Sequence, residues 1–391
     1  MPREGAPLPR TRQTIAVAHV HWALPPIAGG VETHLADFSR LLAERGHHVT
    51  LFAGQGLVQA GPRVETVPCD LLNLDWYRER RMEASDKELA KQLAETMRAE
   101  ITRRGIRVVH GHNLHHFTPV PAMALRLLEQ DIGVRVYHTY HSVWDTDLHI
   151  VEHCRNWPEQ HAVSRFLSGL CAQGLSVPTI PVYLGVAEDR YRHIDSPSAS
   201  GEQVILLPAR LFPEKGAQAA VRMLRRLRDE GLSVRLILTG PEQTVDWDQE
   251  SEPFGQRLKE TIADLGLTGH VDFRSVGFGQ MPQLYAQANV VIYPSTYPEP
   301  LGLAPLEAAA AGRPAVVTRI GGLPETVRHR RTGYVVPPGD LDALTNRVRT
   351  LLTHPRRARR MGRAGRAMVR RKFALDAYVD RMVELYRAAD V

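Results

Sequence analysis

Apolar, β-branched runs recur along the chain, separated by segments whose apolar residues fall three or four positions apart, the two periods of strands and amphipathic helices. In the first half the runs are TIAVAHV, HVTLFAG, IRVVHGH and VRVYHTY, with a shorter TIPVYLG near residue 180. In the second half they are QVILLPARL, VRLILTGP, HVDFRSV, VVIYPS and PAVVTRI. Between them lie helical stretches such as VETHLADFSRLLAERG and AQAAVRMLRRLRDEG, each closed by a glycine. Strands alternating with helices build parallel sheets covered on both faces, so the pattern predicts an α/β chain of two doubly wound, Rossmann-like domains. The polar segment AEDRYRHIDSPSASGEQ, residues 187–203, is rich in Ser, Asp and Gly and is the expected linker.

In open α/β sheets ligands bind beyond the carboxyl ends of the strands, which makes the residues just after each run the candidates. These are Gly29 and Gly30 in HWALPPIAGGVETH, His138 and His141 in HTYHS, Arg210 and Lys215 in ARLFPEKG, and Gly240 in LTGPE. The densest stretch is YPEPLGLAPLEAAAAGRP. Pro305 is tolerated only in the first turn of a helix, so the helix carrying Glu307 should begin near Ala304 and stop at Gly312. Gly302, Leu303 and Ala304 then offer backbone N–H groups at the positive end of a helix dipole, where an anion is favoured. Glu299 lies just before this point and Glu307 one turn beyond it, which suits a ligand with hydroxyls on both sides of a phosphate, the shape of a nucleotide-sugar. Glu299 as a loop charge and Glu307 as a first-turn acid favoured by the dipole is a reading of equal weight on the residues alone.

The composition narrows the class. With 391 residues, 43% hydrophobic and 24% charged, the chain is long enough for two domains with sizeable cores. The three cysteines, Cys69, Cys154 and Cys171, are odd in number and unpaired in spacing, so neither a disulfide framework nor a zinc ribbon is indicated and a cytoplasmic location is expected. The first dozen residues read as a disordered tail, and no run approaches the ~20 apolar residues of a membrane span. Much of the +6 net charge sits in HPRRARRMGRAGRAMVRRKF, where Met361, Met368 and Val369 would line one side of a helix and the arginines the other. A solvated face is the first reading and weak contact with an anionic membrane the second; the lack of interleaved aromatics argues against nucleic acid. Asp-X-Asp occurs at Asp145, Asp246 and Asp340, and fourteen of the eighteen histidines fall within the first 161 residues. No HExxH or Cys/His ligand spacing appears, so no metal is expected. Trp76, Tyr77, Trp144 and Trp157 are candidates to stack on a sugar or cyclitol ring, and equally candidates for the core.

Taken together, GGVETHLADFSRLLAERGHHVTLFAG, VVHGHN, AVSRFL, ARLFPEKG, YPSTYPEPLGLAPLEAAAAGRPAVVT and GGLPETVRHRRTGYVVPPGD make the chain similar to the retaining glycosyltransferase family 4, whose fold is the two-domain GT-B arrangement. The resemblance implies an acceptor-binding domain over 13–186, a donor-binding domain over 204–372 and a last segment, 373–391, packing back on the first domain. It implies that Arg210 and Lys215 neutralise the donor diphosphate, that the Leu303 and Ala304 amides meet a phosphate, that Glu307 accepts from the ribose and that Glu299 contacts the transferred sugar. Gly29 and Gly30 would approach the reacting groups, and His141 would be the family histidine in the first-domain wall. The family often has an aspartate directly after that histidine; here Ser142 follows, which makes His138 a possible substitute. His138, Trp144 and Ser164 are the candidates for acceptor contact.

The implied reaction moves a sugar from a nucleoside-diphosphate sugar, such as a UDP-sugar, to a hydroxyl of a polar small molecule or glycan, aminoglycoside-like chemistry included. It would proceed on one face of the sugar, with no cofactor and no metal, the leaving phosphate helping to deprotonate the acceptor. Two rival readings are a sugar-nucleotide epimerase on the same fold and a basic peripheral enzyme acting on a lipid-linked acceptor. A dinucleotide dehydrogenase is disfavoured because no G-x-G-x-x-G follows a strand.

Overall fold

The computed structural model describes residues 14–27, 29–59, 61–80, 84–143, 146–195, 197, 201–240 and 251–388; the first dozen residues, with their expected disorder, lie outside these. Seven parallel strands form the first sheet: β1 (Ala16–Val20), β2 (His48–Ala53), β3 (Val64–Pro68), β4 (Val108–His112), β5 (Arg135–Tyr140), β6 (Glu159–Ala162) and β7 (Ile180–Pro181). Six more form the second: β8 (Gln203–Leu207), β9 (Val234–Gly240), β10 (Val271–Ser275), β11 (Val290–Tyr293), β12 (Ala315–Thr318) and β13 (Gly333–Val336). The orders are β3-β2-β1-β4-β5-β6-β7 and β10-β9-β8-β11-β12-β13, and every pairing is parallel. Each order reverses direction once, between β1 and β4 and between β8 and β11. Such reversals open a crevice at the carboxyl ends of the central strands.

The strands are apolar on both faces because helices cover both. Val17, Val109, Val136, Leu206, Leu236, Val291 and Val316 are completely buried. The arginine-rich helix, Pro355–Lys372, stays on the second sheet: Met361, Met368 and Val369 are buried while its arginines face mostly outward. The chain then crosses back. Val186 N–H donates to Phe373 O at 2.8 Å and Leu375 N–H to Val186 O at 3.0 Å, so two segments join the domains side by side. The final helix, Leu375–Ala388, lies against the first domain. Tyr386 Oη is 2.6 Å from Nδ1 of His110, Tyr137 donates to Leu385 O at 2.7 Å, and Arg45 pairs with Asp376 and Asp380 at 2.6 and 2.7 Å. Among the described residues no helix is long and apolar enough to cross a membrane.

Candidate active site

The second-domain half of the site is built at the reversal between β8 and β11. After β8 the chain passes Arg210, whose guanidinium lies 4.9 Å from the Phe212 ring centroid, and makes a short 3-10 turn, Pro213–Lys215. Gly216 ends that turn at φ +86°, and a Cβ there would fall 2.4 Å from Pro294 O; glycine therefore lets the turn lie directly on the end of β11. Thr296 N–H clamps it by donating to Glu214 O at 2.8 Å. This closeness brings Lys215 Nζ to 2.7 Å from Glu299 Oε1, with 12% and 8% of the two side chains exposed. Ser295 Oγ lies 3.1 Å from the same carboxylate oxygen. The next helix, Leu303–Ala310, starts after Gly302 at φ +89° with Pro305 in its first turn, as the sequence dictates. Gly240 closes β9 nearby in the sheet, and the residues that follow it, 241–250, lie outside the described ones.

Glu307 is partly exposed and is aimed by two tyrosines. Tyr285 donates to its Oε2 at 2.9 Å, and Tyr191 hydrogen-bonds the same side chain. Burial raises the carboxyl above its ordinary range, and the tyrosine hydrogen bonds and the Arg190 charge work against that rise. A carboxylate has about four lone-pair directions, so two donors leave room for a ligand hydroxyl. Tyr191 belongs to the segment expected to be a plain linker, and sequence reasoning missed it.

The first-domain half faces this across the cleft. A side-chain carbon at Gly30 would lie 3.5 Å from Leu303 Cδ1, so the start of the Gly30–Glu44 helix opposes the start of the Leu303–Ala310 helix. At Gly29 a Cβ would fall 2.0 Å from Glu32 Oε2, and that carboxylate is held by His21 Nε2 at 3.1 Å. His141 follows β5. Its backbone N–H donates to Asn113 Oδ1 at 2.7 Å, its Nε2 lies 3.0 Å from His112 Nδ1, and its Nδ1 has no partner among the described residues. Burial, reinforced by His34, His21 and His138, lowers its pKa well below the ordinary histidine range and keeps the ring neutral.

Two expectations need correction. His138, a candidate for acceptor contact, is fully enclosed beside Trp157; its Nε2 accepts the Leu114 N–H at 3.1 Å, and burial lowers its pKa to about 3. It supports the 113–116 loop from within the fold. Ser164, the other candidate, caps the Arg165–Gly174 helix by accepting Leu167 N–H at 2.9 Å and donates to Pro300 O of the second domain. It joins the domains instead of lining an acceptor site. Beside it Glu325 of the second domain accepts from Arg165 and Phe166 N–H at 3.2 and 2.9 Å and from Tyr183 Oη. Trp144 lies outside the described residues, and Trp157 is core.

His19, His110 and His112 bring ligand atoms within 4.8 Å of one another, but the cluster fits a metal poorly. His110 and His112 are stacked at 4.2 Å, the nitrogens of His110 face Tyr386 and Thr139, those of His112 face His19 and His141, and no carboxylate among the described residues joins them. A divalent ion there would be buried without a compensating charge.

The chain is similar to known glycosyltransferases in sequence and fold. A family model for Glycosyl transferases group 1 matches residues 191–368, and one for Glycosyltransferase Family 4 matches 28–176. The chain is 29% identical over 382 residues to a GDP-mannose-dependent alpha-(1-6)-phosphatidylinositol monomannoside mannosyltransferase of Mycolicibacterium smegmatis, covering 88% of this chain and 90% of that protein. It is 25% identical to a D-inositol 3-phosphate glycosyltransferase of Segniliparus rotundus, covering 100% and 91% of the two chains. Among solved structures, a sucrose-phosphate synthase from Thermosynechococcus elongatus superposes with a TM-score of 0.74 at 22% identity, over 96% of this chain and 98% of that one.

Proposed function

Because the chain belongs to glycosyltransferase family 4 and has its two-domain GT-B fold, it is a glycosyltransferase, and we propose that it moves a hexose from a nucleoside-diphosphate sugar to a polyol or glycan hydroxyl with retention at the anomeric carbon. The observation that carries this reading is the Lys215–Glu299 pair beside the start of the Leu303–Ala310 helix, at the reversal of the second sheet. Breaking the bond to the diphosphate builds negative charge on the leaving phosphate. Lys215, Arg210 and the free N–H groups of Leu303 and Ala304 stabilise that charge where it forms. An ammonium has three donors, so Lys215 can hold Glu299 and a phosphate oxygen together. In this reading the cations and the helix start serve the diphosphate without a metal ion. Glu299, already paired to Lys215, binds the sugar hydroxyls and does not act as nucleophile, and the leaving phosphate takes the acceptor proton on the same face. Glu307, aimed by Tyr191 and Tyr285, binds the ribose.

The names of the two sequence relatives suggest an acceptor bearing an inositol ring or its phosphate, and one of them a guanine nucleotide. The three buried free cysteines fit a cytoplasmic site of action. The arginine-rich face of Pro355–Lys372, which carries no acidic residue, favours a second possibility for the acceptor, a lipid-linked one reached at an anionic membrane. Pelleting with anionic vesicles at low and high salt decides it. The main test incubates the protein with UDP- and GDP-sugars, with and without a chelator and a pool of inositols, inositol phosphates and glycans, and follows products by mass spectrometry and anomeric NMR. Transfer with retained configuration is expected, chelator or not. An isomerised nucleotide-sugar formed without acceptor would sink the transferase reading in favour of an epimerase.

A further inference from the structure

Three buried histidines form one line. Nδ1 of His19 lies 3.1 Å from Nε2 of His112, and Nδ1 of His112 lies 3.0 Å from Nε2 of His141. Burial lowers the pKa of all three, so each ring is neutral and has one N–H and one bare nitrogen. His112 stands between two partners with a single proton to give, so both bonds form only when they point the same way along the line. Either His19 donates to His112 and His112 to His141, or both bonds run in reverse.

The ends decide the direction. His19 Nε2 and His141 Nδ1 are buried without a partner among the described residues. In the first arrangement the bare nitrogen is left at His19 and the N–H at His141; the reverse exchanges them. An orphan N–H inside a closed core is rarer in native proteins than an orphan acceptor. His19 is 1% exposed within β1, whereas His141 stands past the carboxyl end of β5, the end of the sheet where ligands of open α/β folds bind.

We propose that His112 is a positioning residue that fixes His141 as its Nδ1–H tautomer, so that His141 meets the transferred sugar as a hydrogen-bond donor and never as a base. This rests on the transferase reading above and on His141 being the family histidine in the first-domain wall of the cleft. Partners that set a histidine tautomer are commonly carboxylates or carbonyls. Here the adjacent residue is Ser142, whose Oγ lies 2.9 Å from His116 Nε2, and a second histidine takes the task. Asn113 fixes the backbone of His141, and His112 fixes its proton.

Nitrogen-15 NMR of the full chain labelled at histidine, with His141 assigned from its loss in His141→Asn, reads the tautomer directly. A single Nδ1-protonated form is expected in the unaltered chain; an Nε2-protonated form or a mixture overturns the proposal whatever the activity. His112→Asn keeps an amide near the position of Nδ1, facing His141, while His112→Gln keeps one near Nε2, facing His19. The Gln variant should therefore lose roughly tenfold more kcat than the Asn variant, the scale of one hydrogen bond, with the donor KM nearly the same in both. Equal losses in the two variants, with the tautomer of His141 unchanged, would mean that His112 only fills space. His141→Ala separates the two levels: transfer at the parental rate overturns the role given to His141, while the tautomer measurement still judges the histidine line.

Discussion

Lys215 and Glu299 hold each other at 2.7 Å with most of both side chains out of water, so removing either leaves a poorly solvated charge behind. Lys215→Ala is expected to lower turnover at saturating donor by roughly two orders of magnitude, the ~3 kcal/mol of one lost leaving-group contact. Activity within a few-fold of the parent would reduce Lys215 to a structural ion pair. Glu307→Ala should act differently, because ribose contacts are made equally before and during the reaction. Calorimetry with the nucleoside diphosphate should show weakened binding and single-turnover chemistry should change less; unchanged affinity removes Glu307 from the ribose. The residues on which these predictions rest were legible because local rules dictate them: Pro305 and Gly302 place a helix start, and Lys215 and Glu299 follow strand ends. Tyr191 was not legible, since its bond to Glu307 joins residues 116 positions apart and its neighbours are polar. His112 left a faint signal, because strand alternation puts His110 and His112 on one face of β4. The same alternation could not show that His138 points into the core while His141 ends the strand.

At the scale of elements, the start of the Arg165–Gly174 helix belongs energetically to both domains. Its own Ser164 caps one N–H and Glu325 of the second domain takes two more, a favourable place for a carboxylate at the positive end of a helix. Ser164 also donates to Pro300 O, and Gly322 N–H donates to Glu299 O at 2.7 Å, so the loop that carries Glu299 is braced from the first domain. Glu325→Ala should raise hydrogen exchange at residues 165–167 and lower turnover by roughly tenfold, as two charge-assisted bonds are lost and the Glu299 loop loosens. Glu325→Gln, which keeps one acceptor oxygen, should fall between. If exchange and transfer are both unchanged in the Ala variant, the brace is incidental. The strands on which the sheets rest were mostly readable, yet β3, β6 and β13 were not. The sequence VETVP has two adjacent polar residues, Glu65 and Thr66, at a sheet edge, EQHA is polar although its last three residues are buried, and GYVV is only four residues long after an arginine run. Their places are set by neighbouring strands, a tertiary effect that local pattern does not carry.

For the whole molecule, the unequal sharing of histidine between the domains sets the response to acid. Eight enclosed histidines of the first domain have pKa values strongly lowered through burial, half-buried His153 being lowered as well: His19, His34 and His138 fall to about 3, His161 to about 4, and His110, His112, His115 and His141 well below the ordinary value. Below 6.5 the unfolded chain binds protons that these folded rings refuse. Their contribution is therefore complete above pH 6.5 and is lost as the pH falls, each ring costing up to about 1.4 kcal/mol per unit. Asp37 has the opposite sign. Burial raises it from 3.8 to about 6 against the pull of Arg190 and Arg40, so its share is present in acid and is lost as the pH rises through that window. Burial raises the carboxyls of Glu129 and Glu307 as well, but three carboxyls do not offset eight rings, and the net slope below pH 6.5 should be strongly positive. The denaturation midpoint should thus drop steeply between pH 7 and pH 5, with the first domain opening first. Fluorescence of Trp22 and Trp157, both buried there, should report that opening before hydrogen exchange rises in β8, β11 and β12. A midpoint that stays flat over this range would mean that the histidine core admits protons or water in the folded state. It would also remove the reason for treating His19, His112 and His141 as neutral partners in one directed line.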